Sequence, residues 1–220
     1  MTKVKICGLS RLEDVININK LSSNCLLPDY VGFVFAKERR RYISPDVALE
    51  LKDALDTRIT ATGVFVNSPV SEVADIANAG IIDAIQLHGR ESEAYIEELR
   101  KLLMSGANIN PQRKLPIVKA FSISSPEDIE KAAKSNADYI LLDNGGGGTG
   151  KTFDWTLLKQ LERPFFLAGG LDDANVGDAV KKFSPYAVDV SSSVETDGIK
   201  DIDKILQFIK SVKAADESAN

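Results

Sequence analysis

Eight short apolar runs, each rich in β-branched or aromatic residues, recur along the chain at intervals of roughly 20–30 residues. They are Val4–Cys7, Tyr30–Phe35, Ala61–Val66, Ala84–Leu87, Pro116–Ala120, Tyr139–Leu142, Phe165–Leu167 and Ala187–Val190. Several hold almost no polar residue, as strands covered on both faces do. Between them lie segments of helical spacing. Ser44 followed by Pro45 places an N-cap ahead of a first-turn proline, and Ser68-Pro69 and Ser125-Pro126 repeat that start. A helix is expected over Asp173–Lys182, and Ile202, Ile205, Leu206 and Ile209 make one apolar stripe near the C-terminus. Strand alternating with helix implies a parallel sheet with helices outside it. About eight units with nothing left over favour a closed (β/α)8 TIM barrel over an open doubly wound sheet. Residues 1–213 are expected to form this barrel and 214–220 a polar, frayed tail. Ser22–Asp29 and Ser105–Lys114 read as the longer connections.

Charge and cysteine usage narrow the function classes. Basic residues number 27 and acidic residues 32, for a net charge of −5, which argues against a broad basic face for nucleic acid. Cys7 and Cys25 make neither a disulfide scaffold nor a four-cysteine zinc site, so a reducing, cytoplasmic setting is expected. No apolar run reaches the roughly 18 residues needed to cross a bilayer. The first residues lack the apolar core of a signal peptide, so no membrane partner is expected. One histidine and scattered carboxylates give no metal-ligand cluster, and no cofactor is expected.

In such a barrel the working groups gather at the C-terminal ends of the strands. Cys7 ends the first run, the mainly basic stretch Lys37–Arg41 follows the second, and His88 follows the fourth. Lys119 lies near the end of the fifth, Asp143 ends the sixth, Gly169-Gly170 follow the seventh, and Asp189 with Ser191-Ser192-Ser193 closes the eighth. Glycines that admit a ligand to the backbone, facing hydroxyls and amides one strand away, read as a phosphate site, although Gly169-Gly170 also suits a plain turn. Gly145 to Gly150 with Lys151-Thr152 has the spacing of a nucleotide P-loop. No acidic magnesium-binding strand accompanies it and Phe153-Asp154-Trp155 interrupts the helix it needs, so a glycine-rich lid over the barrel mouth is the better reading.

The ordered set of motifs resembles the phosphoribosylanthranilate isomerase family. It comprises Lys5-Ile6-Cys7-Gly8-Leu9 with Asp14, Gly32–Phe35, Arg41–Pro45, Gly63–Asn67 and Gln86-Leu87-His88-Gly89. It continues through Leu142-Asp143, Gly147–Trp155, Leu167–Leu171, and Asp189–Ser192 with Val194-Glu195. The resemblance implies an enzyme of tryptophan biosynthesis that converts N-(5-phosphoribosyl)anthranilate to the 1-deoxyribulose aminoketose by an Amadori rearrangement. It also implies Cys7 as general base and Asp143 as general acid. Arg41 would hold the anthranilate carboxylate and Asp189 would touch substrate. The phosphate would lie between Gly169-Gly170 and the serines, Ser192 and Ser193 among them. The family usually has glycine where this chain has Ser193, which puts the detail of that phosphate site in question.

The chemistry suits those residues. An Amadori isomerisation needs an acid to open the sugar ring and a base to remove the C2′ proton, and neither redox nor metal chemistry. A thiol with an unperturbed pKa of about 8.5 serves as base where its surroundings favour the thiolate. Strand alternation puts Lys5 on the same face as Cys7. Plainer readings stand beside these. Cys7 and Cys25 can be small core residues, Asp143 a turn cap, His88 a backbone partner, and Arg39-Arg40 a solvated run. Another phosphosugar barrel, catalytic or only binding, would share the phosphate site. The expected partner is a small phosphosugar, with the chain a monomer or homodimer.

Overall fold

The computed structural model describes residues 1–105, 115–144 and 155–219. Eight parallel strands close on themselves in sequence order. They are β1 Lys3–Cys7, β2 Tyr30–Val34, β3 Thr60–Phe65, β4 Ala84–Leu87, β5 Ile117–Ser122, β6 Tyr139–Asp143, β7 Phe165–Leu167 and β8 Ala187–Val190. The ring is completed by β8 against β1, from Lys3 opposite Ala187 to Ile6 opposite Val190. Around it run α1 Leu12–Lys20, α2 Pro45–Ala54, α3 Val70–Asn78, α4 Glu93–Ser105, α5 Pro126–Ala133, α6 Val176–Phe183 and α7 Ile202–Ala219. After β6 the described chain resumes as a 3-10 turn, Trp155–Gln160, with Trp155 edge-on to Phe183. Segments 106–114 and 145–154, which include the expected lid and Phe153, lie outside the described residues.

The period of two along each strand decides what the barrel contains. Ile6, Phe33, Phe65, Ile85, Ile140 and Leu142 point outward into the main core beneath the helices. Val118, Leu141, Phe166, Ala168 and Ala187 fill the barrel interior. Its N-terminal end is plugged by aromatic rings: Tyr139 stacks on Tyr186 at 4.6 Å, and the Tyr30 and Tyr186 hydroxyls lie 3.0 Å apart. With that end filled, the open end is the C-terminal one.

Helix starts follow the local chemistry in two cases of three. The Ser44 Oγ accepts the Val47 N–H ahead of α2. Before α5, the Asp128 carboxylate accepts the Ser124 and Ser125 N–H groups. Ser68 does not cap α3; Pro69 takes the cap position, and the Ser68 carbonyl instead accepts the Tyr95 hydroxyl. The helix expected from Asp173 begins at Val176, because Asp172 Oδ1 first accepts the Ala174 and Asn175 N–H groups in a turn. Ser22–Asp29 is partly a 3-10 turn, Leu21–Asn24. Polarity after Lys213 suggests fraying, yet α7 continues to Ala219. Ile205, Phe208, Ile209, Val212 and Ala215 are all buried along it, and Asp216 accepts the Thr2 N–H at 2.6 Å. A single buried stripe holds the last turns on, whatever the polarity of the opposite face.

Candidate active site

The open end of the barrel holds a cavity of about 460 Å³. Cys7, Arg41, Asp143, Gly169, Gly170, Asp189, Ser192 and Ser193 all line it, together with His88. Alternation explains the selection: Cys7, Asp143 and Asp189 sit on inward positions at the ends of β1, β6 and β8. Lys119 falls on the outward phase of β5, between the inward Val118 and Ala120. Its ammonium donates to the Leu87 and Gly89 carbonyls and lies 3.1 Å from Glu91, so it ties strands together outside the cavity.

Cys7 shares the inner wall with Val34, Ala36, Val64 and Val66. One turn of alternation below it, Lys5 is buried with its ammonium 2.9 Å from Asp189 Oδ1. Burial alone would push Lys5 down; the Asp189 carboxylate and the neighbouring Cys7 outweigh it, and Lys5 titrates above its ordinary value. Burial pushes the Cys7 thiol up; Lys5 and Lys200 oppose this and Asp189 adds to it. The surroundings therefore favour the thiol, so the condition for a resting thiolate base is not met. The cause is burial against that apolar wall, whose effect exceeds that of the two ammonium groups.

Asp143 is buried at the end of β6, its Oδ1 accepting the Asn144 N–H at 2.7 Å. The His88 ring meets side chains, where a backbone partner was expected: its Nε2 lies 3.4 Å from Asp143 Oδ2, and its Nδ1 lies 2.9 Å from Gln86 Nε2. Gly169 permits this packing, since a Cβ there would lie 2.5 Å from Asp143 Oδ1.

The loops after β7 and β8 are stitched together. Ser193 Oγ donates to the Leu171 carbonyl, and Ser191 Oγ donates to the Cys7 carbonyl at 3.0 Å. The left-handed non-glycine residues among those described are Cys25, Asn67, Ser184 and Asp197. Ser193 is not one of them, so its side chain meets no backbone objection and acts as a cross-link between the two loops.

Arg41 reaches the cavity wall with one edge already occupied: Nε and Nη2 donate to the two Glu195 oxygens at 2.6 and 2.9 Å. Glu195 also accepts from Arg40 at 2.6 Å and Lys200 at 2.9 Å. Burial would raise this carboxyl; the bonds from Arg41, Lys200 and Arg40 overcome that and hold it down to about 2. Both Glu195 and Lys200 come from a small hairpin, β9 Glu195–Thr196 and β10 Ile199–Lys200, turned by Asp197-Gly198. Glu195 stands in the family motif with no role attached to it, and Lys200 lies outside every motif. The two-residue Asp-Gly turn is the signal that points to them. Among the described residues no three His, Cys, Asp or Glu side chains converge to hold a metal ion.

A family model described as N-(5'phosphoribosyl)anthranilate (PRA) isomerase matches residues 4–211. This chain belongs to the PRA isomerase family. An N-(5'-phosphoribosyl)anthranilate isomerase of Endomicrobium trichonymphae is 42% identical over 97% of this chain and 100% of its own length. The crystal structure of the PRA isomerase of Thermotoga maritima superposes with a TM-score of 0.83, at 36% identity over 97% of this chain and 100% of that one. A PRA isomerase in complex with reduced 1-(o-carboxyphenylamino)-1-deoxyribulose 5-phosphate superposes with a TM-score of 0.80, at 35% identity over the same shares. Another Thermotoga maritima structure, of monomers generated from a dimeric PRA isomerase, also has a TM-score of 0.80, at 36% identity over the same shares. In this chain the barrel mouth thus places the Cys7 thiol, the Asp143 and Asp189 carboxyls and a patch of arginine side chains around one cavity.

Proposed function

We propose that Cys7 is the general base and Asp143 the general acid of the PRA isomerase reaction that this chain carries out in tryptophan biosynthesis. The observation that carries the reading is that this thiol and this carboxyl, from β1 and β6, line the same cavity. Asp143 gives its proton to the ring oxygen of N-(5'-phosphoribosyl)anthranilate, and the ring opens to an iminium. The Cys7 thiolate then takes the C2′ proton, leaving the enolamine. C1′ takes up a proton and the C2′ hydroxyl gives one up, which returns acid and base to their starting states and completes the ketone. The productive form has the thiol deprotonated and the carboxyl protonated, so the pair holds one proton in all.

Arg41 receives the anthranilate carboxylate, to which a planar guanidinium is well matched. Three cations surround one carboxylate at this wall, which leaves net positive charge for an anion. Asp189, held by Lys5, faces the sugar, and the phosphate lies among Gly169, Gly170, Ser192 and Ser193, where two loops meet. The enzyme works as a monomer or homodimer, and its two free cysteines suit a cytoplasmic setting. No described helix is long and apolar enough to cross a membrane.

The test is Cys7→Ser and Asp143→Asn, assayed by the fluorescence change on substrate consumption, with product-analogue binding measured alongside. Each should lower turnover by orders of magnitude, about 10²-fold or more, while binding survives. Unchanged turnover in either variant removes that residue from the mechanism.

A further inference from the structure

The Arg41 guanidinium is planar and presents its donors along fixed edges. Glu195 occupies the Nε–Nη2 edge with both of its oxygens, so what remains for a ligand is the opposite edge around Nη1. The clamp itself is rigid. Glu195 pairs with Lys200 across the hairpin, and the Lys200 ammonium, which is buried, also donates to the Ser191 carbonyl at the end of β8. The stem of Arg41 lies across Gly8, where any Cβ would collide with the Arg41 Cδ. Arg40 closes the outer side of Glu195 and donates to the Gly198 carbonyl at 3.2 Å. The guanidinium is thus fixed at its stem and along one edge before any ligand arrives.

We propose that Glu195 is a positioning residue, which aims the open edge of Arg41 at the carboxylate of the substrate's aromatic ring. The inference rests on the reading of Arg41 as the carboxylate ligand. Glu195 has two effects of opposite sign. Its negative charge lies beside Arg41 and weakens the pull on an incoming anion; its hydrogen bonds hold the guanidinium in register. Glu195→Gln removes the charge and breaks the two-oxygen clamp, so the direction of the change identifies which effect dominates. Positioning dominates here, because misplaced binding groups forfeit much of their contribution even when the charge is intact.

The experiment compares two ligands, the reduced aminoketose phosphate and its phenylamino counterpart lacking the carboxyl group, on wild type, Glu195→Gln and Arg41→Ala. In Glu195→Gln the preference for the carboxylated ligand should fall about tenfold, with KM rising by about the same factor and kcat within about threefold of wild type. Inorganic phosphate inhibition should be unchanged, which also shows that the variant is folded. A preference that collapses in Arg41→Ala but holds or increases in Glu195→Gln overturns the positioning role alone. A preference unmoved in both overturns the carboxylate reading and the inference with it.

Discussion

Replacing Lys5 with methionine removes an ammonium from the centre of the barrel and leaves the Asp189 carboxylate without its partner. The two charges lie 2.9 Å apart, with side chains 1% and 7% exposed. At an effective dielectric of about 20, Coulomb's law gives roughly 6 kcal/mol for that separation. Much of it offsets the desolvation of both groups, so the pair is not worth that much relative to an apolar replacement. Breaking it from one side is a different matter, because a buried carboxylate is left uncompensated. The expected loss is about 3–5 kcal/mol. For a chain of this size that lowers Tm by about 10 °C. Lys5 titrates above its ordinary 10.5, so its ammonium is intact at pH 7 and its contribution is present there; that contribution is lost as pH rises through the raised value. The measurement is urea unfolding at pH 7 of wild type, Lys5→Met, Asp189→Asn and the double variant. The double variant should recover about 2 kcal/mol or more relative to additivity. Alkylation of Cys7 by iodoacetamide should also slow in Lys5→Met, since the thiol loses a cation that favours its ionised form. A loss below about 1 kcal/mol, or additivity of the two single variants, would refute this account of the barrel centre.

Because the productive pair carries one proton, kcat/KM should hold through neutral pH and fall on the alkaline side where the thiol ionises, above its ordinary value. An alkaline midpoint below about pH 8 in the wild-type profile contradicts that. Glu195, held at about 2, contributes stability above its ordinary 4.5 that is lost as pH falls toward 2. The unfolding free energies of wild type and Glu195→Gln should differ by about 2 kcal/mol at pH 7, after allowance for solvent screening, and more than half of that gap should close by about pH 3. A gap independent of pH dismisses the ionic contribution. Ser193→Gly deletes the cross-link to Leu171 and frees the backbone, so inhibition by inorganic phosphate should weaken by about three- to tenfold. Equal or tighter inhibition shows that the hydroxyl is dispensable.

Local chemistry along the chain was enough for the barrel and for the addresses of its functional groups. Strand runs alternate with helical stretches, and a strand's period of two, once its end is known, says which side chains enter the mouth. Strand ends made Cys7, Asp143, Asp189 and the serines of the eighth loop candidates, the family resemblance supplied their roles, and the Asp197-Gly198 hairpin was there to be read. Partners far apart in the chain could not be named this way. Lys5 meets Asp189 across 184 positions, Arg41 meets Glu195 across 154, and the Asp216 carboxylate meets Thr2 across 214. Only closure of the ring makes those pairs neighbours. It also packs Cys7 against an apolar wall, which favours the thiol over the thiolate that a base must supply. Burial and long-range pairing depend on distances in space, and these exist only once all eight strands are in register.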